Sequence, residues 1–272
     1  MKYERSIIPI IEAHYQNFTA SEKIIADFFM NNKEVSDFSA QKVAGHLYTS
    51  EASLSRFSRK CGFKGYREFI YRYQEGFKEE RKDASEDTRN ILDTYQELLT
   101  KAYSLIDEAQ IIRIANIISR ANQRVFVYGK GSSGIAAEEF KNRLMRFGVD
   151  IECIVDTHIM KMNTAVIRSR DLLIGISVSG QAEEVLQALE SGKRKGAVTV
   201  LISAAKRSEW AQWCDEVVLI ASKENLDLGK LISPQFPVLV ICDVLYANVM
   251  KHNRNDREAL HRETLIELGR IK

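Results

Sequence analysis

Apolar positions follow two different rhythms along this chain, and the change falls near residue 80. Over residues 1–77 the spacing is helical and no run reads as a strand. Ile24, Ile25, Phe28 and Phe29 form one stripe at i, i+1, i+4 and i+5. Thr19, followed three residues later by Glu22, predicts a capping box that starts this helix. Ser39 is expected to cap a second, short helix whose inward face is Val43, Ala44 and Leu47. A third helix is predicted from Thr49 or Ser50, with Leu54, Phe57 and Cys61 inward and Gly62 where a helix-ending glycine belongs.

Residues 78–90 are charged throughout and read as a solvated linker or the exposed start of a helix. Helical spacing returns over 91–121. After 122, short β-branched runs alternate with helical stretches: Val125–Tyr128, Ile151–Val155, Leu172–Ser177, Val198–Ile202 and Val217–Ile220. Strand alternating with helix predicts a parallel five-stranded sheet flanked by helices on both faces. The segments 235–252 and 255–270 read as closing helices. The expected organisation is an all-α domain over 1–77, a linker and connecting helices over 78–121, and an α/β domain over 122–272.

Composition narrows the function classes. The net charge is +2, so any nucleic-acid signal must come from local clustering. The longest apolar run, Phe236 to Cys242, is seven residues and contains Pro237, too short to span a membrane, and the first 18 residues lack a signal-peptide core. Cys61, Cys153, Cys214 and Cys242 stand far apart with no CxxC or Cys/His pairing. Free thiols in a reducing cytoplasm are the expected state, with no metal and no cofactor.

Two constellations carry chemistry. The first is the third helix. Its outer face and N-terminal end present Ser50, Glu51, Ser53, Ser55, Arg56, Arg59 and Lys60, with Lys64 just beyond. Residues 53–74 hold six basic residues and one acid inside a nearly neutral protein. A short helix, a tight turn and a second helix with a basic outer face is the plan of a helix-turn-helix lying against double-stranded DNA. Arginine can bond guanine at two points, while small hydroxyl residues allow close approach.

The second is a pair of Ser/Gly turns. Strand Val125–Tyr128 runs into Gly129-Lys130-Gly131-Ser132-Ser133-Gly134, then a helix read from Ile135 to Phe147. Glycines permit close backbone approach, and the helix N-terminus favours an anion. The run Leu172–Ile176 ends in Ser177-Val178-Ser179-Gly180-Gln181 before a helix from about Ala182 to Lys195. Two such turns at the carboxyl ends of parallel strands can converge on one phosphate. The first also matches G-x-G-x-x-G, but a dinucleotide site wants an acid at the end of the next strand; Asp150 precedes that strand and Asp156 lies further on.

These residues resemble a known family. Residues 122–255, with GKGSSG, SVSGQAEEV and LISAAKRSEWAQWCDEVVLI, look like a SIS (sugar isomerase) domain. Residues 1–77, with SEKIIADFF and SEASLSRFSRKCGFKGYREF, look like the DNA reader of RpiR-type regulators. The resemblance implies a transcriptional regulator of carbohydrate genes that binds a sugar phosphate and assembles as a homodimer or homotetramer through the SIS domain. It implies ligand contacts at Ser132, Ser133, Ser177 and Ser179 and DNA contacts at Ser50, Ser53 and Arg56 on the third helix; Gly131, Gly180 and Gln181 in the same turns complete the expected ligand site. Two positions depart from the family pattern: Ala182 stands where threonine is usual, and Tyr48 where glycine is frequent. Gly45 inside the second helix is also atypical. His158, in a D-x-H stretch with Asp156, is expected to be a capping or surface residue.

The alternative is a sugar-phosphate isomerase with an accessory helical domain. It needs a general base near the sugar's C1–C2. Glu138, Glu139, Glu183, Glu184 and His158 are available, but no sequence context singles one out. A protein-interaction module without DNA contact is a third reading.

Overall fold

The protein was analysed as a computed structural model, described over residues 7–32, 37–75, 85–120, 123–223, 226 and 230–270. The chain divides into two compact units, Met1–Ser85 and Glu86–Lys272.

The first unit contains five α-helices among its described residues: α1 (Ile8–His14), α2 (Ala20–Asn31), α3 (Ala40–His46), α4 (Glu51–Lys60) and α5 (Tyr66–Glu75). Thr19 and Glu22 close the expected capping box at the start of α2. Ser50 caps α4 by accepting from the Ser53 N–H. Ser39 stands at the head of α3, but its side chain makes no capping bond. The Ser39 N–H itself donates to Asp37. Phe29, fully buried, centres an aromatic core with Phe57, Phe69 and Tyr73. The hydroxyls of Tyr66 and Tyr73 donate to the Phe38 and Phe29 carbonyls, so each phenol is satisfied inside the core.

The second unit holds β1 (Val125–Gly129), β2 (Ile151–Ile154), β3 (Leu172–Ile176), β4 (Val198–Ser203) and β5 (Glu216–Leu219) in the order β2-β1-β3-β4-β5, all pairs parallel. Every residue of β1 and β3 is buried, as a sheet covered on both faces requires. One face packs against α7 (Glu108–Ile118), α8 (Ser132–Met145) and α11 (Phe236–Lys251). The other packs against α9 (Thr157–Val166) and α10 (Glu183–Arg194). Gly175 lets α10 come close: a Cβ there would stand 2.7 Å from the Leu189 Cδ1.

The helical stretch over 91–121 is not a free-standing connection. It folds as α6 (Glu86–Leu105) and α7, broken where Asp107 accepts from the Ala109 and Gln110 N–H groups. Both helices belong to the second unit. Ile111, Ile114, Ala115 and Ile118 enter the main core, and Leu98 and Ala102 pack with Ala221, Leu226 and Ile232. Gln110 and Arg113 also bond Glu216 on β5. The charged segment 78–84 lies outside the described residues. The chain closes with α12 (Arg254–Glu267).

Buried polarity at the base of the sheet is paired. The Asp171 side chain, 4% exposed, accepts from the Arg124 guanidinium and from the Arg168 N–H, tying the start of β3 to the start of β1.

Candidate functional site

Register brings the two Ser/Gly turns together. Strands β1 and β3 are neighbours, and Gly129 pairs with Ile176, so both turns leave the sheet at the same level. β1 lies between β2 and β3, which makes this a topological switch point, where open α/β sheets form their ligand crevices. Lys130, Ser132, Ser133, Ile176, Ser177, Val178, Ser179, Ala182 and Pro234 line a crevice of about 180 Å³ there.

Each turn has a local cause. Helix α8 begins at Ser132, three residues earlier than the sequence suggested, so Ser132 and Ser133 form its first turn. Gly131 has φ +53° and ψ −127°, a conformation essentially restricted to glycine. A Cβ on Gly129 would lie 2.7 Å from the Ser133 carbonyl oxygen, so the strand can pass this close to α8 only without a side chain. In the second turn, Gly180 has φ +68°, and a Cβ there would meet the Trp210 ring at 2.7 Å. The Val178 carbonyl accepts from the Ala204 N–H, fixing the turn to the end of β4. Ser177 Oγ accepts from the Ala182 N–H at 3.2 Å, a bond that caps the head of α10 from five residues back.

Four of the expected ligand residues therefore line one crevice: Ser132, Ser133, Ser177 and Ser179. Gly131 and Gly180 shape the turns without lining it, and Gln181 is exposed and does not line it. Lys130 and Pro234 line the crevice and were not anticipated. Lys130 could have been noticed as the charged residue within GKGSSG. Pro234 is remote in sequence and carries no local signal. The Lys130 ammonium donates to both carboxylate oxygens of Glu184 at 3.0 Å, and this pair holds the Glu184 carboxyl below its usual range. Asp156 caps α9 through the His158 and Ile159 N–H groups, and His158 is exposed.

On the first unit, Ser50, Glu51, Arg56, Arg59, Lys60 and Lys64 are exposed, while Ser53 and Ser55 are half-buried. Ser50, Ser53 and Arg56 form a hydrogen-bonded row, with Arg56 Nη2 donating to Ser53 Oγ at 3.0 Å. Arg59 donates to the Lys64 carbonyl. Lys60 is engaged internally: its ammonium pairs with Glu22 at 2.7 Å and lies over the Phe18 ring. Ser55 faces a larger hollow of about 680 Å³ that Ser39, Tyr66, Arg67 and Ile70 also line. The tight turn before α4 contains Tyr48 at φ +51°, 98% exposed.

Comparison with known proteins agrees with this division. The model of the helix-turn-helix domain of the rpiR family matches residues 5–80, and that of the SIS domain matches residues 117–246. An HTH-type transcriptional regulator from Haemophilus influenzae is 30% identical over 275 residues, covering 96% of this chain and 95% of its own. The chain belongs to the RpiR family of helix-turn-helix transcriptional regulators. The Escherichia coli K12 regulator RpiR, of the same family, is 24% identical over 91% of this chain and 87% of its own. Among solved structures, the Vibrio vulnificus NanR protein complexed with ManNAc-6P shares the fold, with TM-score 0.61 and 21% identity over 97% of this chain and 99% of that one. The residues matched to the helix-turn-helix domain span α1 to α5.

Proposed function

We propose that this RpiR-family regulator controls carbohydrate genes and is gated by a phosphorylated sugar held between the two Ser/Gly turns. The observation that carries this reading is the meeting of Ser132, Ser133, Ser177 and Ser179 around one small crevice. Neutral hydroxyl and backbone donors at helix N-termini suit reversible binding of a phosphate. The NanR protein of similar fold is complexed with ManNAc-6P, which supports the ligand class. Gly131, Gly180 and Gln181 complete the site as residues of the two turns. On α4, Ser50, Glu51, Ser53, Ser55, Arg56 and Arg59, with Lys64, face the DNA; Lys60 serves chiefly to fasten α4 to α2.

Gating follows from linkage. A ligand that binds one arrangement of a cytoplasmic homo-oligomer better than another shifts the population toward it, and the spacing of the DNA-reading helices changes accordingly. Two such helices must lie about 34 Å apart to reach successive half-sites.

Gating, rather than isomerisation, is favoured by the acids. A base that removes a carbon-bound proton works best with a pKa near the operating pH. Among the candidate bases, Glu138, Glu139, Glu183 and His158 are exposed. Glu184 adjoins the crevice through its pair with Lys130, and that lysine lowers its carboxyl pKa, away from the useful range.

A gel-shift assay with DNA upstream of the protein's own gene, with and without a panel of phosphosugars, tests the proposal. A retarded band whose midpoint moves with one phosphosugar is expected. Phosphosugar turnover without DNA binding, or binding of neither, refutes it.

A further inference from the structure

Four serines supply no formal charge, yet the crevice is not uncharged. Lys130 lines it, and its side chain is 43% exposed. That ammonium is already held at two points, by both oxygens of Glu184. Glu184 is in the first turn of α10, where the helix end favours an anion. A carboxylate at a helix N-terminus that also holds the crevice lysine occupies the place an exogenous anion would take. Lys161 on α9 adds positive potential to the same carboxylate.

We propose that Lys130 is the cationic ligand of the effector's phosphate and that Glu184 is its built-in competitor. The proposal rests on the crevice being the effector site. Without effector, Glu184 holds the lysine. A dianionic phosphate beside Ser132 and Ser133 offers the ammonium more charge than one carboxylate does, and the ion pair exchanges partners. Glu184 is then left beside a phosphate and turns outward. Because Glu184 stands on α10 and Lys130 on the turn before α8, the exchange uncouples the two crevice walls when ligand enters. The competing carboxylate also weakens binding of small monoanions, so the site responds to phosphate esters and ignores chloride or acetate.

The exchange predicts opposite signs for the two halves of one ion pair. Binding of ManNAc-6P and of inorganic phosphate to the full chain is measured by isothermal titration calorimetry. Lys130→Gln is expected to weaken binding at least tenfold. Glu184→Gln is expected to tighten it threefold or more. The double variant is expected to match Lys130→Gln, since removing the competitor helps only while the lysine is present. Both side chains are partly exposed, and thermal melts confirm folding of each variant. Glu184→Gln binding equal to or weaker than wild type overturns the exchange while leaving the crevice as the effector site. Wild type binding neither inorganic phosphate nor any phosphosugar of the gel-shift panel overturns both.

Discussion

Replacing Tyr48 by glycine should make the protein more stable, although the change removes a large aromatic side chain. Tyr48 has φ +51° in the turn between α3 and α4. The left-handed conformation costs a residue with a Cβ about 1–2 kcal/mol. The ring is 98% exposed, so truncating it forfeits no burial. Glycine adopts this conformation freely but loses about 0.5–1 kcal/mol of extra conformational entropy on folding. The balance is about 0.5–1 kcal/mol in favour of Tyr48→Gly. For a domain of 60–100 residues this raises the melting midpoint by roughly 2–8 °C. Differential scanning calorimetry and urea titration followed by far-UV circular dichroism measure it, and an unchanged m-value shows that the surface exposed on unfolding is unaltered. Tyr48→Ala is the control, because alanine keeps the Cβ and its backbone penalty. If the alanine and glycine variants melt together, or if glycine melts at or below the parent, the strain reasoning fails.

Three further outcomes are expected. Gly180→Ala places a Cβ 2.7 Å from the buried Trp210 ring at φ +68°; it should abolish calorimetric binding of whichever phosphosugar the gel-shift panel identifies, while leaving the far-UV spectrum of the sheet intact. Asp171→Ala strands the Arg124 guanidinium at the base of the sheet and should cost about 3 kcal/mol in urea denaturation, at the low end for a broken buried pair because Arg124 is one-third exposed. Burial pushes the thiols of Cys61, Cys214 and Cys242 up to about 12 and that of Cys153 up to about 11. A chromogenic disulfide reagent at pH 8 should therefore react slowly with native protein, at half-buried Cys153 first, and rapidly with all four cysteines in urea.

The fold was legible wherever local chemistry and burial agree. The capping box at Thr19–Glu22, the Ser50 cap and the five β-branched runs all lie where period and turn residues put them. Ser39 shows the limit: Asp37, two residues earlier, is equally eligible, and it accepts the Ser39 N–H and pairs with Lys42. Helices α6 and α7 read as a connection because periodicity reveals an apolar face without revealing what covers it; the core of the second unit does. In the crevice, the serines and glycines could be named from turn chemistry alone. Lys130 was passed over because neutral donors already explained the turn. Pro234 arrives from far beyond both turns in the chain, through folding that no local pattern encodes. Lys60 has the outward position of a DNA contact, and only the structure reveals that Glu22 holds it.

The glycine that admits the Trp210 ring beneath the second turn has a practical consequence. The chain has two tryptophans, Trp210 and Trp213, with ring centres 6.3 Å apart. All indole emission thus originates in the second unit, next to the turn that carries Ser177 and Ser179, and none from the first unit. If the proposed effector enters the crevice, indole emission is the label-free signal expected to change, because one of the two rings touches the second turn.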